Sequence, residues 1–332
     1  MSGINVVTGA TGQVGLDLCR ALRAAGRAVR AVVVPGDRMA SRLHGLGVEI
    51  AEADVRDPVA LGRAFADAET IYHLAAIVST TSRHDLRMWQ VNVEGARNAV
   101  RAARAAGARR MVYFSSIVVF DPAPYDRPLD ETRARMRVHD ASPYVRSKVV
   151  GESVVRAAID GGLDAVLVHP TVVVGPNETH HVGVVQTLFH AYFERRLPAT
   201  LRGHCNLVAV DDVVAGAIAA ADRGRCGESY IFAGEHASLT EILRRVEPLG
   251  CPPVPRLSLP LGLMRAGLPF VDGFARLTRT RPAFTHEDLR QLAGNTRISS
   301  AKATLELGYR ADGLADALRT VHAAWLQARK PG

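Results

Sequence analysis

A run of glycines at the start of the chain constrains its fold more than any other feature. Residues 3–15 read Gly-Ile-Asn-Val-Val-Thr-Gly-Ala-Thr-Gly-Gln-Val-Gly. The β-branched run from Ile4 to Val7 reads as a buried strand, and it leads directly into Gly9, Gly12 and Gly15. An apolar, helix-length segment follows from Val14 to Ala25, with Gly26 as its stop. Strand, glycine-rich turn and helix in that order leave backbone N–H groups at a helix N-terminus, which attracts anions. Gly9 permits the tight turn, Gly12 the close approach of a pyrophosphate and Gly15 close packing of helix on strand. The spacing Gly-x-x-Gly-x-x-Gly is one residue off Gly-x-Gly-x-x-Gly. Its strand and helix context favours dinucleotide binding over a glycine turn that binds nothing. Gly9, Thr11, Gly12, Gln13 and Val14 are therefore the first candidate cofactor contacts.

The pattern of this first unit repeats. Strands are expected at 4–8, 28–34, 48–53, 70–75, 109–115 and 163–169, with helices at 13–25, 58–66, 85–106 and 143–161. Near-continuous apolar strands such as Val29–Val34 suit a parallel sheet covered on both faces. Asp57-Pro58 and Ser142-Pro143 each place an N-cap before a proline at the first helical position. The fold class expected is α/β: a doubly wound parallel sheet of Rossmann type with a smaller, interrupted C-terminal substrate domain. Beyond residue 170 the alternation thins to a strand at 207–210, a helix from Asp211 to Asp222 and a strand at 229–233. Ser238-Leu-Thr-Glu241 is a capping box opening another helix. Residues 1–175, with 207–235 returning to them, are assigned to the dinucleotide-binding domain. Residues 176–206 and 236–332 are assigned to the substrate-binding region. Within the latter, 252–285 is rich in Pro and Leu and carries Phe270, Phe274 and Phe284, as a small satellite core or a pocket wall.

Composition narrows the function classes. No run approaches the ~20 apolar residues of a membrane span, and no charged and apolar leader precedes the first strand. A protein of the cytoplasm, with no membrane partner, is expected. The four cysteines, at 19, 205, 226 and 251, are scattered, and twelve histidines form no ligand-spaced cluster. They predict neither a disulfide frame nor a metal site, and His180-His181 reads as a polar loop. The net charge of +8 rests on 38 Arg and 3 Lys. The Arg residues are spread over every expected helix without interleaved aromatics, which is compositional bias rather than a nucleic-acid surface.

Tyr144-Val-Arg-Ser-Lys148 is the second strong signal. Residues four apart share a helix face, so both side chains can enter one cleft. Reduction of a carbonyl needs a proton donor beside a hydride donor. Tyr is a poor acid at its free pKa of ~10, and a neighbouring ammonium stabilises the phenolate and lowers that value. The chain holds only 7 Tyr and 3 Lys, so this spacing is informative. Ser115-Ser116 ends the fifth expected strand, and carboxyl ends of strands line the ligand crevice of a doubly wound sheet. A hydroxyl there can hold the substrate oxygen.

Thr8-Gly-Ala-Thr-Gly-Gln-Val-Gly15 resembles the Thr-Gly-x-x-Gly-x-x-Gly element of the extended short-chain dehydrogenase/reductase family. The resemblance extends to Asp54-Val55, His73-Leu-Ala-Ala76, Asn92-Val-Glu-Gly95, His169-Pro170-Thr171 with Gly175-Pro176, and Val210-Asp211-Asp212-Val213. It is nearest the dihydroflavonol-reductase-like branch and the NAD-dependent epimerase/dehydratase branch. It implies Ser116, Tyr144 and Lys148 as the catalytic triad, with Lys148 also holding the nicotinamide ribose. It further implies cofactor contacts at Asp54, Val55, Leu74, Ala75, Ala76, Asn92, Tyr144, Lys148, Pro170 and Thr171.

The second strand ends Val32-Val33-Val34 without an acid to bind a ribose 2′-hydroxyl. NADP is therefore expected, with Arg38 reaching the phosphate; NAD, with Asp37 on the hydroxyl, is the alternative. The expected activity is NAD(P)H-dependent reduction of a hydrophobic ketone, or oxidation of its alcohol, bordered by Ile77, Val78, Val118, Phe120 and Val173. The alternative is a nucleotide-sugar epimerase or dehydratase with tightly bound NAD, using Arg195, Arg196 and Arg202 on a diphosphate. A non-catalytic cofactor sensor is the third reading, and the intact Ser/Tyr/Lys set argues against it. The partner is a small carbonyl or alcohol, and family analogy gives a monomer or homodimer.

Overall fold

The computed structural model describes residues 3–78, 85–176, 184–268 and 286–327. Seven parallel strands form the central sheet: β1 (Ile4–Thr8), β2 (Val29–Val33), β3 (Glu49–Glu52), β4 (Ala68–His73), β5 (Arg110–Phe114), β6 (Ala165–Pro170) and β10 (Ser229–Phe232). Their order is β10-β6-β5-β4-β1-β2-β3. The chain therefore winds outward from β1 to β3, then returns and winds the other way from β4. The crevice between β1 and β4 is the topological switch point, where such sheets bind ligands.

Alternate strand residues feed two cores, as the period of two requires. Val7, Val33, Tyr72, Val112 and Val168 face α1 (Gln13–Ala24), α7 (Val210–Arg223) and α11 (Ala301–Leu307), where Leu18, Leu22, Val213, Ala217 and Leu307 are buried. Val6, Val32, Ile71, Met111 and Leu167 face the other way. They pack with residues of α2 (Pro58–Ala64), α4 (Gly95–Ala105) and α5 (Pro143–Asp160), among them Leu61, Ala96, Ala99, Ala103 and Val155. The expected α/β doubly wound fold is thus the observed one, with strand ends within two residues for the first six strands.

The differences have local causes. β4 stops at His73 rather than at residue 75, because the Thr8 hydroxyl takes the amides of Leu74 and Ala75 at 3.2 and 3.3 Å. The single helix expected over 85–106 is α3 (Leu86–Trp89) and α4 joined by a π turn at Gln90–Glu94. The strand expected at 207–210 is β9 (His204–Ala209), which lies outside the main sheet. It pairs in parallel with β7 (Val172–Val174) and antiparallel with β11 (Glu235–Ser238). The capping box opens α8 (Leu239–Val246) as read.

A further core joins α6 (Val184–Phe193), α8 and α12 (Leu314–Gln327) through Phe189, Tyr192, Phe193, Ile242, Leu243 and Leu318. Around it lie the two-stranded pair β8 (Thr200–Arg202) and β12 (Ser258–Pro260), α9 at 261–268, and α10 (His286–Ala293). Phe270, Phe274, Phe284 and the pair His180-His181 lie outside the described residues. Among the described residues no helix is long and apolar enough to cross a membrane.

The glycine turn is built by close backbone contact. Gly9 has φ +68°, a conformation costly for any side chain. A Cβ on Gly15 would stand 2.2 Å from the Gly9 carbonyl oxygen and 2.9 Å from Ala10 Cα. Gly15→Ala is expected to destabilise by about 1–3 kcal/mol, the cost of overpacking. Gly62, inside α2, has nothing within 4 Å of where a methyl group would stand, which gives the opposite sign. Gly62→Ala should stabilise by about 0.5–1 kcal/mol. Urea midpoints of the two variants, at unchanged m, check both.

Candidate active site

The helix that carries Tyr144 and Lys148 begins where the sequence places it. Ser142 caps α5 by accepting the Val145 amide at 3.4 Å, and Pro143 occupies the first helical position. Tyr144 falls in the first turn and Lys148 one turn later, and both are buried. The Lys148 Nζ donates to the Phe114 carbonyl at 2.7 Å, at the carboxyl end of β5. It also lies 5.6 Å from the Tyr113 ring centre. Tyr144 packs in an apolar nest with Met88, Ala141 and Val145, closed by Ile77, Val118 and Met136. Ser116, two residues beyond Phe114, caps the short turn Ile117–Val119 with its Oγ and is only half-buried. Its neighbour Ser115 turns away and donates to Glu152 at 2.6 Å. Of the two serines, Ser115 is therefore the one committed to Glu152, and Ser116 keeps its hydroxyl at the strand end.

Burial pushes the Lys148 ammonium down to about 8, while the nearby Glu152 carboxylate opposes the shift. His73, at the end of β4, is fully desolvated and its pKa falls to about 3, so it is neutral. Its Nδ1 pairs with the Thr8 hydroxyl at 2.9 Å, and its ring stacks on Tyr113.

The expected cofactor residues surround the switch point. Gly12 caps α1 without any side-chain cap, so N–H groups of the first turn are left for an anion. A Cβ on Gly12 would meet only the Gly9 carbonyl within 4 Å, which leaves its outer side open to a close ligand. This cradle fits a pyrophosphate. Gln13 reaches over to the Gly175 carbonyl at 3.2 Å, and Val14 packs on the core beneath α1. Thr11 Oγ1 donates to Asp37 Oδ2 at 2.7 Å, and Asp37 Oδ1 takes the Met39 amide. Arg38 follows with its side chain exposed.

Asp54 ends the β3 side of the crevice, where Arg56 holds its carboxyl below the usual range. Val55 is buried under Gly95. Leu74, Ala75 and Ala76 form a half-buried ledge beside Gly9. Pro170 and Thr171 close β6, with the Thr171 amide on the Phe232 carbonyl.

Two residues sit otherwise than their expected roles suggest. Asn92 is buried in the π turn, and its side-chain amide is taken by protein. It accepts the Ile77 amide at 2.7 Å and donates to the Ile77 carbonyl and to Ser147 Oγ at 3.0 and 2.8 Å. Asn92 thus fixes the ledge after β4 against α5. Phe120, expected to border the substrate, is a correction: its ring is buried between His169, at 4.9 Å, and the Arg135 guanidinium, at 4.0 Å. An apolar residue type does not state which way the side chain turns. Sequence reasoning also passed over Thr8, Ser147 and Glu152. For Glu152 a signal existed, since it lies four residues beyond Lys148 on the same helix face.

Asn92→Ala removes one buried and two partly buried hydrogen bonds, the latter to both backbone groups of Ile77. A loss of roughly 2–3 kcal/mol is expected from unsatisfied buried groups, checked by the urea midpoint of the variant.

Residues 5–233 match the family model described as NAD dependent epimerase/dehydratase family. The sterol demethylase protein B of Methylococcus capsulatus is 35% identical over 305 residues, covering 91% of this chain and 92% of that protein. The ceramide reductase of Caulobacter vibrioides is 31% identical over 294 residues, covering 87% and 84%. The crystal structure of gox2253 superposes with a TM-score of 0.83 at 30% identity over 99% of both chains. The glycine cradle, the Tyr144/Lys148 helix and these similarities agree: the chain belongs to the NAD-dependent epimerase/dehydratase family, nicotinamide-dependent oxidoreductases and epimerases of extended short-chain type.

Proposed function

We propose that the protein is an NAD(P)H-dependent reductase of a hydrophobic ketone, or a dehydrogenase of the matching secondary alcohol. The observation that carries this reading is the docking of Lys148 on the Phe114 carbonyl. It brings the Tyr144/Lys148 face of α5 to the strand end that presents Ser116. The apolar nest around Tyr144 favours a hydrophobic substrate. The names of two relatives, one concerning a sterol and one a ceramide, point the same way. Arg195, Arg196 and Arg202, which an epimerase would need for a diphosphate, are exposed, and Arg196 is paired with Glu194.

When bound, a nicotinamide cofactor supplies or accepts the hydride at the carbonyl carbon. The Tyr144 hydroxyl gives the proton to the carbonyl oxygen, and takes it back in the reverse direction. The Lys148 ammonium stabilises the phenolate left behind and holds the nicotinamide ribose. The Ser116 hydroxyl donates to the carbonyl oxygen and orients it. NADP is the cofactor of this reading. Asp37 spends one carboxylate oxygen on Thr11 and the other on the Met39 amide, while the Arg38 guanidinium beside it is exposed to a 2′-phosphate.

The test begins with the nucleotide content of the purified protein, then turnover on a steroid ketone, a long-chain aliphatic ketone and a UDP-hexose. Exchangeable NADPH with ketone turnover supports the reading; tightly held NAD with sugar interconversion replaces it by the epimerase. Tyr144→Phe is expected to lower kcat by at least about 100-fold, the scale of general acid catalysis, with NADPH affinity within about threefold. A Tyr144→Phe enzyme of ordinary activity would remove the proton-donor role.

Arg38→Ala should weaken NADPH about tenfold or more and leave NADH unaffected, the loss of a charge-assisted phosphate contact. Because burial brings Lys148 down to about 8, its cation is lost as pH rises through that value. The kcat/KM for reduction should accordingly fall above about pH 8, and a profile flat to pH 10 would contradict the role of Lys148.

A further inference from the structure

The catalytic helix carries a buried carboxylate that the mechanism above does not use. Glu152 is 2% exposed, one turn beyond Lys148 and two beyond Tyr144. Each of its oxygens takes two donors. Oε2 accepts from Ser115 Oγ at 2.6 Å and pairs with His169 Nε2 at 2.8 Å. Oε1 accepts from Arg135 Nε at 2.8 Å and Arg156 Nε at 2.9 Å. Both guanidiniums continue to Ser229 Oγ, at 3.0 and 2.7 Å. One carboxylate therefore ties α5 to β5, β6, β10 and the segment before α5. Such a group is costly to bury and persists only when every lone pair is satisfied.

The ties converge on the reacting end of β5. Phe114 carries the carbonyl that receives Lys148, Ser115 is held by Glu152, and Ser116 follows. A shift of the Ser115 side chain moves the backbone on both sides of it. On α5, Tyr144 and Glu152 stand one turn to either side of Lys148, and Tyr113 on β5 and the neutral His73 on β4 lie near its ammonium. Among these, Glu152 is the permanent anion, because His169, Arg135 and Ser115 hold its carboxyl far below the usual range.

We propose that Glu152 is a positioning residue for the reaction: through Ser115 it sets the place of Ser116, and through its charge it keeps Lys148 cationic. The inference rests on the reading of Tyr144 and Lys148 as the reacting pair. Glu152→Gln keeps the size of the side chain but removes the charge and opposes an N–H₂ group to two of the four donors. Ser115→Ala removes one link and leaves every charge in place.

The experiment compares wild type, Glu152→Gln and Ser115→Ala in three measurements: thermal melting, NADPH affinity by fluorescence titration from pH 6 to 10, and kcat and KM on a ketone the wild type reduces. Glu152→Gln is expected to lower kcat about tenfold or more with KM within about threefold, the scale of a displaced catalytic geometry. The alkaline limb of both NADPH affinity and kcat/KM should move to lower pH by about one unit. Ser115→Ala should lower kcat without moving the limb.

A Glu152→Gln protein with the wild-type kcat and the wild-type pH limb, whatever its melting temperature, overturns the proposal. If Glu152→Gln does not fold, a wild-type kcat in Ser115→Ala overturns it instead. If the wild type reduces no ketone, the functional reading fails by itself, and the NADPH titration still decides Glu152: an unmoved limb in the variant rejects it.

Discussion

Backbone touching backbone at the switch point is the contact on which the rest of the molecule depends. A Cβ on Gly9 would lie 2.9 Å from the Ala75 amide nitrogen, and one on Gly15 would lie 2.2 Å from the Gly9 carbonyl oxygen. Only glycine allows the β1 turn, the ledge after β4 and the first turn of α1 to meet at such distances. Thr8 closes the same junction from inside the sheet, where its hydroxyl serves His73, Leu74 and Ala75. The ledge is then gripped from the far side by Asn92, which also holds Ser147 on α5. The cradle for the cofactor and the helix with Tyr144 and Lys148 are thus two ends of one chain of short contacts. Their separation is set by packing rather than by loop geometry.

The same region shows how a buried site keeps its charges in order. His73 and Lys148 lie near each other, and both being cationic there would be costly. Desolvation and the neighbouring ammonium leave the imidazole neutral, so it serves as a hydrogen-bond partner for Thr8. Lys148 keeps its proton near neutrality with a backbone carbonyl as its acceptor and Glu152 as the nearby anion. Glu152 in turn is the centre of a filled set of donors, so its burial strands no lone pair. Along α5, Lys148 and Glu152 stand one turn apart and meet neighbouring residues at the carboxyl end of β5, a cation on the Phe114 carbonyl and an anion on the Ser115 hydroxyl.

Much of this was legible in the residues, and the reasons differ. The strands could be read because both faces are buried and their sequences stay apolar. The turn could be read because Gly9, Gly12 and Gly15 answer to backbone distances that no other residue satisfies. Ser142-Pro143 marked the start of α5, and Tyr144 and Lys148 followed from helical spacing. The π turn at Gln90–Glu94 was not legible, since α-helix flanks it on both sides, with Trp89 and Gly95 in right-handed helical conformation, and no glycine or proline within it marks a break. β7, β8, β11 and β12 are three or four residues each and exist through partners distant in sequence. Asn92 could be located by motif, yet its amide serves the protein itself. Glu152 and Arg156 on an exposed helix would look the same as they do here. What makes them internal is Arg135 and Ser229, contributed from outside the helix.

On the proposed reading, these contacts also divide the labour between the sheet and the rest of the molecule. The cradle and the Tyr144 helix belong to the sheet, whose two cores fix them from both faces. On that proposed reading, proton and cofactor chemistry therefore rest on the sheet, for a reductase and an epimerase alike. What separates those activities is the surroundings of the substrate. A nucleotide sugar brings a diphosphate that needs desolvated cations, and the arginines at 195, 196 and 202 stand in solvent. A hydrophobic ketone asks only for apolar surface, which Ile77, Val118 and Met136 supply around Tyr144, the proton donor of the proposed reaction. Water leaving such a surface drives binding without any ion pair. In the proposed reaction the orientation of the ketone falls to Ser116, which directly follows the Ser115 whose hydroxyl Glu152 accepts.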